Sequence, residues 1–128
     1  MDFTFPKKQR LKSKKIIKLL FDEGKSINAF PLKLIYLKAN LPEDVPVQTA
    51  VIAPKKHFKS AVQRNRIKRL IREAYRLNKA SLFNNMEAQY ALVILYLGME
   101  MPSFSKTEVG VKTLLTKFLK QISDEKAV

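Results

Sequence analysis

Apolar residues recur along this chain in two rhythms, one helical and one alternating, and the punctuation between them is Gly, Pro and Ser. After a basic lead-in at residues 1–10, Ser13 can cap a short helix carrying Ile16, Ile17, Leu19, Leu20 and Phe21, and Gly24 stands where a helix commonly stops. Leu32 to Ala39 alternates Lys33, Ile35 and Leu37 against Leu34 and Tyr36, the period of a strand. Leu41-Pro42-Glu43-Asp44-Val45-Pro46 then reads as a turn into a second strand at Val47 to Ala53, so the pair is expected to form a β-hairpin.

A long basic helix is expected from about Lys59 to Asn78, followed by a loop and the apolar strand Tyr90 to Leu97, which Gly98 and Pro102 close. An uninterrupted apolar strand is buried on both faces. The last helix opens with Ser105 and Glu108 in capping-box spacing and continues through Val111, Leu114, Leu115, Phe118 and Ile122. This order, α, β, β, α, β, α, is an α+β layout around one mixed sheet. No internal repeat and no Gly/Ser linker divides it, so residues 1–128 are expected to form one domain, with residues 123–128 as a frayed tail.

Composition narrows the class. With 128 residues, 46% of them hydrophobic, and no cysteine, the chain is long enough for one core and excludes disulfides, thiolate metal sites and thiol nucleophiles. The absence of cysteine fits the cytoplasm. No apolar run approaches the ~20 residues of a membrane span, and neither a secretory signal nor an organelle transit peptide is expected.

Charge changes the picture most. Residues 1–79 carry 20 basic and 6 acidic side chains, whereas residues 80–128 carry 5 of each, so the whole net charge of +14 sits in the first part. Concentrated positive charge opposes a compact fold, and a polyanionic partner relieves it; nucleic acid leads, with an anionic membrane surface behind. The charge peaks on the long helix, where Ile67, Leu70, Ile71, Ala74 and Leu77 define a core sector and Arg64, Asn65, Lys68, Arg69, Arg72 and Arg76 the opposite one, with Arg66 on the boundary. Lys55, Lys56 and Lys59 precede it. An ordinary solvated face would pair Glu with Lys four residues apart, but Glu73 is the one acid among ten Lys and Arg from Lys55 to Lys79. Arginine forks suit phosphates, and Asn65 suits a base edge or sugar hydroxyl. Strands on both sides of this helix are unlike a helix-turn-helix, and a cationic helix fits the junctions of a folded RNA, so structured RNA is favoured over DNA.

Ala61-Val62-Gln63-Arg64-Asn65-Arg66-Ile67-Lys68-Arg69-Leu70-Ile71-Arg72-Glu73 closely resembles the Arg-Asn-Arg signature helix of the bacterial ribonuclease P protein component. Phe5-Pro6-Lys7, Arg10-Leu11, Phe21, Gly24-Lys25-Ser26 and the pair Lys55-Lys56 resemble other parts of that family, so the likeness covers nearly the whole chain. It implies a mixed four-stranded sheet, or three long strands plus a short one, with three helices in αβββαβα order and a left-handed βαβ crossover around the signature helix. It also implies an accessory subunit that joins a catalytic RNA to remove the 5′ leader of precursor tRNA, hydrolysis being done by the RNA and its Mg²⁺, with no membrane contact and no obligate protein partner. Lys55, Lys56, Lys59, Arg64, Asn65, Arg66, Lys68, Arg69, Arg72 and Arg76 would hold the catalytic RNA. Ile17, Phe21, Ile35, Ile52 and Phe58 would line a leader-binding cleft between the first helix and the sheet. Ile17 and Ile35 stand where family members often carry aromatics, and the stretch Lys56 to Ser60 runs one residue longer than the family form, so Phe58 is expected to supply the missing ring.

No catalytic residue and no protein-held metal are expected. The acids are scattered rather than clustered as two-metal hydrolysis needs, and His57 is the single histidine. A ribosomal or ribosome-assembly protein using the same basic helix is the alternative binding role, and a free-standing metal nuclease the alternative enzyme.

Overall fold

In the computed structural model, which describes residues 4–84 and 86–126, a 3-10 turn at Lys7–Gln9 precedes α1 (Lys14–Glu23), β1 (Lys25–Ala29), β2 (Leu32–Lys38) and β3 (Val47–Ile52). Then come α2 (Ala61–Asn78), a single helical turn α3 (Ala80–Phe83), β4 (Tyr90–Tyr96) and α4 (Phe104–Lys126). Apart from the two short turns, this is the αβββαβα order of an α+β domain. Every residue of β4 is buried, and it takes the interior of the sheet, antiparallel to β2 and parallel to β3, with β1 added antiparallel to β2. The strand order is β1-β2-β4-β3.

The hairpin expected between Leu32–Ala39 and Val47–Ala53 therefore does not form, because β4 lies between those strands. A strand apolar on both sides gains most from a central position, and the Pro42–Pro46 segment carries the chain past it. The backbone of β4 begins beside that segment, with Tyr90 N donating to Pro46 O at 3.0 Å. The hairpin that does form joins β1 to β2 through the cis Phe30–Pro31 peptide. Its first strand, Lys25-Ser26-Ile27-Asn28-Ala29, buries Ile27 alone, too little for an alternating signal.

Two layers sandwich the sheet. On one face Leu32, Leu34, Tyr36, Leu92, Ile94 and Tyr96 meet Ile67, Ile71, Ala74 and Tyr75 of α2 and Val111, Leu114, Leu115 and Phe118 of α4. On the other, Ile35, Val93 and Leu95 meet Leu20 and the half-buried Ile16 and Ile17 of α1. Ser13 caps α1 as expected, its hydroxyl accepting from Ile16 N at 3.2 Å. The cap of α4 is Ser103 rather than Ser105, for the Ser103 hydroxyl accepts from Lys106 N, and Glu108 instead accepts from Asn78 Nδ2 at 3.1 Å, tying α4 to α2.

The end of α4 is held. Glu125 accepts from Lys25 Nζ at 2.8 Å and from the Tyr36 hydroxyl at 2.9 Å, so the chain is helical where residues 123–126 were expected to fray; Ala127 and Val128 lie outside the described residues. Burial first, and then Glu125, push the Tyr36 hydroxyl up to about 12, while Lys25 and Tyr36 hold the Glu125 carboxyl below its usual range.

Gly24 fixes the approach of α1 to the sheet. A Cβ there would stand 2.4 Å from Leu20 O and 2.6 Å from Ile35 Cγ2. Gly24→Ala is expected to destabilise the fold by ~1–3 kcal/mol, as overpacking does. The check is a lowered urea midpoint at unchanged slope; a midpoint equal to wild type would contradict this packing.

Candidate nucleic-acid interface

Ser60 starts α2 by accepting from Gln63 N, and Ile67, Ile71, Ala74 and Tyr75 anchor it to the sheet with no exposure. The buried stripe is turned from the expected one: Leu70 is half-buried and Leu77 exposed, while Tyr75 is fully inside. Tyr75 earns that place by two partners, its hydroxyl oxygen accepting from Thr49 Oγ1 at 2.9 Å and its ring meeting Phe5 edge-on at 5.2 Å.

The opposite side is cationic. Asn65, Arg66, Arg69 and Arg72 are exposed, Lys68 and Arg76 are half-buried, and Lys55, Lys56 and Lys59 stand exposed on the loop from β3 to α2. Arg64 departs from the expected sector. At ~100° per residue it lies only about 60° from Ile67, and its Nη1 donates to Phe58 O at 2.7 Å and Lys59 O at 2.8 Å. Arg64 thus clamps the lysine loop to the start of α2. Glu73 is bound by the fork of Arg76, Nε reaching Oε2 at 3.1 Å, which holds its carboxyl below the usual range and leaves Arg69 and Arg72 unopposed on this helix.

The lead-in, assigned no site by the sequence pattern, is fastened beside this face; Met1 to Phe3 lie outside the described residues. Leu11 N donates to Thr49 O at 3.0 Å, Gln48 Nε2 donates to Lys8 O at 2.9 Å, and the nearly buried Lys79 ammonium donates to Gln9 Oε1. Arg10 makes an isolated parallel bridge alongside Thr49 of β3, its Nε donating to Phe5 O at 3.0 Å. No periodicity marks such a tertiary contact; the signals were the excess of Lys and Arg and the family resemblance of Phe5-Pro6-Lys7 and Arg10-Leu11.

Of the expected cleft residues, Ile17, Ile35 and Ile52 share the apolar layer beneath α1. That helix packs over β2 and β4, Ala50 and Ile52 of β3 stay half-covered, and Phe21 is 50% exposed on α1. Phe58 is elsewhere. It is buried in the layer of α2 and α4 with its ring 6.0 Å from that of Tyr96, so it lies across the sheet from Ile17 and adds no ring to that side. Its ring fills the core while its backbone O accepts from Arg64 Nη1.

A family model described as Ribonuclease P matches residues 5–119. The ribonuclease P protein component of Porphyromonas gingivalis is 34% identical over 118 residues, covering 90% of this chain and 86% of that protein. The chain belongs to the bacterial ribonuclease P protein family. The ribonuclease P protein component of Chlorobium phaeobacteroides is 34% identical over 122 residues, covering 85% of this chain and 84% of the relative. Among solved structures, the ribonuclease P protein of Staphylococcus aureus superposes with TM-score 0.67 at 17% identity over 84% of this chain and 93% of that one. That of Thermotoga maritima gives 0.62 at 24% identity, over 88% and 96%. These two likenesses bear on the fold.

As a ribonuclease P protein component, the chain is an RNA-binding part of a ribonucleoprotein endoribonuclease of tRNA processing, which sets aside both the ribosomal reading and the free-standing nuclease. Among the described residues no helix is long and apolar enough to cross a membrane, and no group of three or more His, Asp or Glu side chains is placed to hold a metal ion. Nδ1 of His57 is buried without a hydrogen-bond partner among the described residues.

Proposed function

We propose that this protein binds the catalytic RNA of ribonuclease P through the exposed face of α2 and the Lys55–Lys59 loop, and receives the 5′ leader of precursor tRNA on the apolar side formed by α1 and the sheet. The observation that carries this is the one-sided cationic face of α2, whose single acid is taken by Arg76. Asn65, Arg66, Lys68, Arg69 and Arg72 make the contacts, Lys55, Lys56 and Lys59 extend them, Arg76 lies at the far end, and Arg64 positions the loop. Ile17, Phe21 and Ile52 supply the leader side, with the buried Ile35 packed beneath them, so that mostly aliphatic surface stands where stacking rings would contribute ~1–3 kcal/mol per base.

Bringing two polyanions together is the physical task, and positive charge between them lowers its cost. Among the described residues no group of three or more His, Asp or Glu side chains is placed to hold a metal ion, and our reading places the Mg²⁺ on the RNA, whose phosphates suit it. The subunit works in the cytoplasm, with no membrane contact, and assembles with RNA without a further protein.

The test mixes protein, catalytic RNA and precursor tRNA at low Mg²⁺ and scores leader removal against each component alone. Cleavage strongly enhanced by both together, with log affinity falling ~0.7–0.9 per phosphate contact against log salt, is the expected result. No stimulation across a Mg²⁺ titration would defeat the reading.

A further inference from the structure

The lead-in and α2 border an open pocket of about 370 Å³, lined by Phe5 and Arg10 on one side and by Asn65, Arg69, Arg72, Glu73 and Arg76 on the other. We infer that this pocket is a binding site for one RNA phosphodiester, in which Arg10 of the lead-in works as a partner to Arg69 and Arg72 of the signature helix. The inference rests on the reading that α2 faces RNA, and adds to it a residue outside the helix and a defined place for a phosphate.

Four arginines line one small space, and Glu73, the single acid lining it, is occupied by Arg76. Arginine forks bind phosphate oxygens in two-point fashion, and a phosphate between them removes the mutual repulsion they carry in the free protein. That repulsion acts on Arg72, whose guanidinium is held below its ordinary value by burial and by Arg10. The site is also built before any ligand arrives. Arg10 is fixed by its Nε bond to Phe5 O and lies over the Phe5 ring at 5.2 Å, Phe5 rests on Tyr75, and Lys79 holds Gln9. Little ordering therefore remains to oppose binding.

The phosphodiester could belong to the catalytic RNA or to precursor tRNA, and titrations of the full-length protein with each RNA separately, over a salt series, distinguish them. Arg10→Ala is compared with Lys120→Ala, which removes one exposed charge from α4 on the side of β1. Arg10→Lys keeps the charge and loses the fork. Arg10→Ala is expected to weaken binding about tenfold, the loss typical of one charge-assisted hydrogen bond, and to lower the salt slope by ~0.7–0.9; Arg10→Lys recovers the slope but not the affinity. The loss falls on whichever RNA supplies the phosphate. Arg10→Ala indistinguishable from Lys120→Ala with both RNAs overturns the site while leaving the reading of α2 intact. Wild-type protein that binds neither RNA overturns both.

Discussion

Replacing Arg69 and Arg72 together by alanine is expected to weaken binding to ribonuclease P RNA by about two orders of magnitude, with thermal stability essentially unchanged. Both side chains are exposed, neither donates to a protein acceptor among the described residues, and both line the pocket that Arg10 borders. A hydrogen bond to a charged group contributes ~1.5–3 kcal/mol, and ~1.4 kcal/mol is a factor of ten in affinity, so two such contacts give about a hundredfold or more. The fold should not notice, since surface changes of this kind stay within about 0.5 kcal/mol and removing like charges relieves the helix. Arg64→Ala should behave differently, lowering affinity and stability together, because its guanidinium bonds Phe58 O and Lys59 O. Filter binding across a salt series alongside a thermal melt separates the two cases; an affinity within threefold of wild type for the double variant would remove α2 from the interface.

The contrast between Arg64 and Arg69 marks how far the sequence could be read. The signature helix and its charge were legible because helical periodicity and sign are local properties. The fate of each arginine was not, since Arg64 is one turn from Ile67 and its partners are carbonyls of a loop whose path the core decides. Phe58 makes the same point: an apolar residue in a basic loop can serve either face of the sheet, and the space beside Tyr96 settled it. For the sheet, the unbroken apolar run of β4 contained the information that it is central, and adjacency in sequence misled the pairing of β2 with β3. Arg10 was invisible as a site residue because a bridge to Thr49 leaves no periodic trace.

The second large effect ties the fold to the interface. Tyr75→Ala is expected to cost ~3–5 kcal/mol, the range for emptying a buried aromatic site, out of a total stability of ~5–15 kcal/mol for a domain of this kind. Its ring fills the junction of α2, β3 and the lead-in, fully buried against Phe5, and its hydroxyl is the acceptor for Thr49, itself 1% exposed. That melts the protein ~10–20 °C lower. Tyr75→Phe keeps the ring and leaves the Thr49 hydroxyl unpaired, a loss of ~1–3 kcal/mol. The two variants should also part in RNA binding measured cold, where both remain folded. Without the Tyr75 ring, Phe5 has no seat and Arg10 is unmoored from its place beside Arg72, so the alanine variant weakens RNA binding, whereas the phenylalanine variant binds as wild type does. A melting temperature for Tyr75→Ala within a few degrees of wild type would show that the lead-in and α2 are not joined through this ring.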